Sequence, residues 1–229
     1  MSSESGQQPG ELRAVRVWDI PVRLFHWLLV VLIILSFTTA QVGGNAMRIH
    51  ELSGFSILTL VLFRVLWGVF GGTYARFAHF VRGPAQALDY ARALARGRAP
   101  FHAGHNPLGG WMIVAMLLCL LIQAGTGLFA NDDIMTEGPL YPWVSKQTSD
   151  LLSRIHEANF YVLLVLVTLH VAAALYYLWG KRENLILPLF NGHKKVPDTL
   201  QAQESRGGPL WLAALLLALC ASGVYLLVR

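Results

Sequence analysis

Four of the eight histidines fall where imidazole is least at home. His26, His50, His156 and His170 lie in or at the ends of long apolar stretches, where an ionisable side chain is costly and marks function by default. His156 and His170 share one stretch, fourteen residues apart. That interval advances a helix by about 21 Å and returns it to within about 40° of whole turns, so both rings project from one face at two depths. Counted from Ile155, His170 lies about 22 Å into a hydrocarbon core about 30 Å thick. His26, a few residues into the first stretch, then lies at the same level. His50 and His156 both stand at the opposite boundary. A histidine packed against a neighbouring helix is an equal reading for any one of these rings; the matching depths favour ligation. Two imidazoles from separate helices can hold a haem iron between them, in the place where bundles keep their cofactors. The expected pairs are His26 with His170 for an inner haem and His50 with His156 for an outer one.

Other residues suit such a site without requiring it. Gly54 and Gly68, also fourteen apart, would let a flat ring approach a backbone, or simply let two helices pack closely. Haem carboxylates need cations. Arg48 and Arg154 flank the outer pair, while Arg23, Arg64 and Arg76 are near the inner pair. Arg64 lies inside an apolar stretch, where a charge costs about 2.5–3.5 kcal/mol on insertion scales; snorkelling to the surface is the competing reading. His79, His102, His105 and His193 fall in polar connections and read as solvated. His102-x-x-His105 has metal-like spacing but no cysteine or carboxylate beside it.

The elements that position these residues follow from composition. Of 229 residues, 55% are hydrophobic and only 14% charged, which favours a membrane protein. Five stretches reach the roughly 20 apolar residues needed to cross a bilayer: Val22–Ala40, Leu52–Phe70, Leu108–Ala130, Ile155–Trp179 and Pro209–Val228. The expected fold is an all-α, four-helix transmembrane bundle holding two b haems, plus a fifth C-terminal transmembrane helix. Residues 1–14 read as a polar tail, 15–195 as the cytochrome domain, 196–208 as a linker that attaches the last span (209–229) loosely. The first fifteen residues do not read as a cleavable signal. Cys119 and Cys220, in different apolar stretches, read as small core residues. The net charge of +5 concerns topology rather than nucleic acid. Basic residues concentrate before the first span, between the second and third, and after the fourth, placing the N-terminus in the cytoplasm. Between the second and third spans, Pro84–Gly97 fits an interfacial helix or an ordinary solvated one.

One short echo marks the outer boundary. Arg48-Ile49-His50-Glu51 returns as Arg154-Ile155-His156-Glu157. Each glutamate is expected in a first helical turn, where it suits the helix dipole.

The residues Val17-Trp18-Asp19-Ile20-Pro21-Val22-Arg23-Leu24-Phe25-His26-Trp27 carry a resemblance. So do His50, Arg64 with Leu66-Trp67-Gly68, Tyr74-Ala75-Arg76-Phe77, His105-Asn106-Pro107-Leu108-Gly109-Gly110-Trp111 and the His156/His170 pair. Over about Val15 to Lys195 the chain resembles the bacterial cytochrome b561 / nickel-iron hydrogenase b-type cytochrome family. The resemblance implies a four-helix dihaem cytochrome of the bacterial inner membrane. It would pass electrons between the quinone pool and a redox partner, such as a c-type cytochrome or a hydrogenase-like subunit. It implies nothing for the fifth span. Two rivals remain at this stage. A proton or metal transporter would also use intramembrane histidines, but should bring acidic partners into the spans. A non-redox anchor subunit would need no histidine pairs.

Overall fold

The computed structural model describes residues 12–134, 136–200 and 204–229. Five of its helices are long and apolar enough to cross a membrane. The elements are β1 (Leu12–Arg16), α1 (Ile20–Val42), α2 (Met47–Phe70), α3 (Phe77–Phe80), α4 (Pro84–Ala95), α5 (Pro107–Gly127), α6 (Lys146–Trp179), α7 (Pro188–Asn191), β2 (His193–Pro197) and α8 (Leu210–Leu227).

Three spans begin at side-chain caps. Asp19 accepts the Val22 amide with Pro21 in the first turn of α1, Asn106 accepts the Gly109 amide with Pro107 opening α5, and Ser145 accepts the Thr148 amide at α6. In each, a carboxylate, amide or hydroxyl oxygen satisfies an amide that the helix cannot, and in α1 and α5 proline sits where no amide is needed.

The Ser145 cap moves the start of α6 nine residues ahead of the apolar boundary at Ile155. At 34 residues the helix is about 51 Å long, and about two and a half turns of it precede the apolar stretch. They are anchored there: Ser149 donates to the Phe129 carbonyl at 2.6 Å, and Ser153 accepts the Asn131 amide at 2.9 Å. Glu157 is therefore in the fourth turn, not the first, and the dipole argument fails for it. Glu51, the fifth residue of α2, instead pairs with Arg48 at 3.1 Å.

α1 packs on α2, α2 on α5, and α5 on α6, while α6 stands off from α1 and α2. The core runs from Phe25 and Leu29 through Leu60, Val61 and Trp67 to Leu117, Leu120 and Leu163.

The two polar ends differ from expectation. Residues 1–11 of the tail lie outside the described residues, but 12–14 belong to β1. That strand pairs antiparallel with β2 in the register Leu12↔Pro197 to Arg16↔His193. The boundary placed at 196 thus falls inside a strand, and Val15 and Val196 are fully buried. The linker is stitched down further by the Ser205 amide to the Arg16 carbonyl (2.8 Å) and the Thr73 amide to the Arg206 carbonyl (3.3 Å). Nor is the fifth span loosely attached. α8 lies along α2, burying Ala213, Leu216, Cys220 and Val224 at helical spacing. The reason is apolar periodicity: one stripe of α8 matches the free face of α2, and Gly208 lets the chain pass directly over the Trp67 ring.

Candidate haem sites between the spans

The four intramembrane histidines meet in the two expected pairs. His26 of α1 and His170 of α6 have ring centres 6.4 Å apart. His50 of α2 and His156 of α6 have ring centres 6.2 Å apart. An imidazole–metal bond is about 2 Å, and a ring nitrogen sits about 1.2 Å from its ring centre. Two such rings on one metal would have centres roughly 6.4 Å apart. Both pairs fit.

The outer rings are held by the backbone. His50 Nδ1 lies 2.9 Å from the Ser36 carbonyl and 3.1 Å from its hydroxyl; His156 Nδ1 lies 2.8 Å from the Gln123 carbonyl. A carbonyl only accepts, so each Nδ1 carries the proton and donates, and each Nε2 lone pair is left for a metal. Gly127 makes room for this. A Cβ there would come within 3.0 Å of His156 Cε1. The cleft at this level is lined by His50, Gly54, Gly127, Asn131 and His156 among others.

The inner level carries a different signature. Four buried polar atoms lack a hydrogen-bond partner among the described residues: Arg23 Nε, His26 Nδ1, Arg64 Nη1 and His105 Nδ1. All belong to the third of the bundle around His26 and His170. Buried polar groups are normally satisfied, so a cluster of orphans points to an absent acceptor. A haem fits here too, since it brings both a metal and carboxylates.

The remaining expected residues divide. Arg64 is 3% exposed, with its guanidinium over the Phe77 ring at 5.2 Å; it does not snorkel. Arg48, Arg76 and Arg154 are exposed. Gly54 faces open space, whereas the room at Gly68 is taken by the Phe77 ring. His105 corrects the solvated reading. It is sandwiched between Trp18 and Phe80, each ring centre 4.6 Å away, and burial, then the nearby charges of Arg64 and Lys194, push its pKa down to about 3. The signal for this was present: Asn106-Pro107 opens α5, so His105 must stand at the helix mouth. His102 turns to the Pro100 carbonyl at 3.1 Å.

Asp19 was visible only as part of a motif. It is 3% exposed and accepts from the Trp67 indole at 3.2 Å as well as capping α1, tying α1 to α2 beside the inner pair. Ser36 and Gln123 were invisible because they act through their carbonyls.

The model of the prokaryotic cytochrome b561 family matches residues 17–192. The chain belongs to that family. It is accordingly a multi-pass b-type cytochrome of the membrane, built for electron transfer. The cytochrome is similar to the probable Ni/Fe-hydrogenase B-type cytochrome subunit of Rhizobium leguminosarum bv. viciae, at 25% identity over 84% of this chain and 94% of that one. It is also similar to the corresponding probable subunit of Bradyrhizobium diazoefficiens, at 20% identity over 85% of this chain and 91% of that one. No solved structure matches it significantly. The family match ends at residue 192, before β2 and α8.

Proposed function

We propose that this cytochrome carries electrons across the bacterial inner membrane through two b haems, His26 and His170 holding the inner one and His50 and His156 the outer. The observation that carries this reading is the spacing of the two ring pairs, 6.4 and 6.2 Å. His26 with His170 and His50 with His156 would hold the two groups, and a haem held by two imidazoles would supply single-electron exchange rather than oxygen binding.

The residues have distinct tasks. α6 supplies one ligand to each level, so a single rigid helix sets the interval between them, about 21 Å along the axis. The Ser36 and Gln123 carbonyls orient the outer rings and raise their basicity as ligands. The inner rings are left to be oriented by Trp27, which meets His26 edge-on at 5.0 Å, and by packing.

Quinone or quinol would exchange electrons at one end. A redox partner would do so at the other, a hydrogenase-like subunit by similarity to the rhizobial proteins, or a c-type cytochrome. The basic residues of the connections support a cytoplasmic N-terminus.

Purified protein tests the reading. The reduced-minus-oxidised spectrum should be that of b haem, the pyridine haemochromogen should give two per chain, and electron paramagnetic resonance should show low-spin bis-imidazole ferric iron. One haem per chain, or a high-spin spectrum, overturns it. Reduction of the haems by a quinol analogue tests the diffusible substrate, and copurification with a hydrogenase-like subunit tests the partner.

A further inference from the structure

The orphaned nitrogens of the inner level have more in common than burial. Arg64 and His105 come from different elements, α2 and the connection before α5, yet both pack on the Phe80 ring. The Arg64 guanidinium lies 6.0 Å from its centre and the His105 ring 4.6 Å. The charge of Arg64 reaches His105. Arg64 Nη1 and His105 Nδ1 are closed off from solvent without an acceptor. Asp19, the carboxylate whose charge acts on Arg64, directs its hydrogen bonds elsewhere: Oδ1 takes the Val22 amide and Oδ2 the Trp67 indole. Arg23 Nε is a third orphan, one helical turn from His26 on α1. Asp19 acts on Arg64 only at a distance, and Arg64 Nη1 is left buried without an acceptor, an arrangement that is costly away from water.

We propose that Arg64 and His105, assisted by Arg23, form a buried carboxylate-binding site that receives a propionate of the inner haem. The assignment rests on the dihaem reading and deepens it. It names the neutral His105 ring, outside the spans, as a hydrogen-bond donor to the macrocycle's acid, with Arg64 as its counter-charge. Arg48, Arg76 and Arg154 are exposed and carry none of the orphaned buried nitrogens found among the described residues.

The test uses the full chain purified from cells fed 5-aminolevulinate with an isotope-labelled carboxyl, which marks the haem propionates and no protein carboxylate. Redox-induced infrared difference spectra should contain labelled carboxylate bands. Arg64→Gln and His105→Phe should each shift one of them and lower the inner haem's midpoint potential or its occupancy, while Arg48→Gln leaves the inner haem's bands and potential unchanged. Arg64→Lys keeps the charge but loses the Nη1 donor. It should shift the same band with both haems retained, and it decides the matter if Arg64→Gln yields no folded protein. Labelled bands that are identical in wild type, Arg64→Lys and His105→Phe, with two haems present in each, overturn the proposal. A wild-type chain lacking bis-imidazole haem overturns the functional reading instead.

Discussion

At the scale of single residues, the two histidine levels make separable predictions. His170→Ala should lower haem content from two per chain to one and remove the inner component of a redox titration, leaving the outer component in place. Loss of both haems, or of neither, would break the pairing. The outer level can be tested through residues that never touch iron. His156 Nδ1 donates to a backbone carbonyl and its ring fills the space beside Gly127. Gly127→Val should therefore displace the ring and deplete the outer haem, read as loss of its low-spin resonance signal. Ser36→Ala, by contrast, should leave that signal intact, because the carbonyl at 2.9 Å from His50 remains when the hydroxyl is gone.

At the scale of elements, stability is concentrated where helix ends meet neighbours. Asp19 caps α1 and accepts from the Trp67 indole of α2. Asp19→Ala removes a cap worth about 1 kcal/mol and leaves a buried indole N–H without its acceptor, a further cost of about 1–3 kcal/mol. Denaturant titration in mild detergent should show a loss of about 2–4 kcal/mol, well above the roughly 1 kcal/mol expected of Ser145→Ala at the solvent end of α6. Equal losses would mean that Asp19 acts as a cap alone. Between α5 and α6, Lys146 bridges Asp133 and Asp150. These surface pairs contribute little to stability.

At the scale of the whole molecule, the C-terminal segment is a fastener. Lys194 of β2 is buried, pairs with Glu183 at 2.7 Å and donates to the His102 carbonyl at 2.7 Å. Burial pulls its pKa below the ordinary lysine range even though Glu183 opposes the shift. Removing one partner strands the other charge, so Lys194→Met should destabilise by about 3–5 kcal/mol, and Lys194→Met with Glu183→Leu should recover most of that loss. Thermal melts of the single and double variants decide it. Reporter fusions test orientation: activity of a cytoplasmic reporter at residue 98 and of an external reporter at residue 229 is expected from the positive-inside distribution.

Much of this protein could be read from the chain without coordinates. Hydrocarbon demands long apolar helices, and burying imidazole demands a partner; these two requirements produced the five spans and both histidine pairs, since depth is a linear function of residue count along a helix. The start of α6 was misplaced because hydropathy reports where lipid begins, whereas helices begin where a cap such as Ser145 stands. Only the tertiary structure could show that β1 and β2 pair across almost the whole length of the chain. Two short polar segments carry no local sign of each other. It alone also showed that α8 belongs to the core, and that His105 and Arg64 share a ring and lack an acceptor. Sequence states how deep a side chain lies along its own helix. Which neighbours close around it depends on how the helices are rotated against one another, and that is settled by packing among residues far apart in the chain.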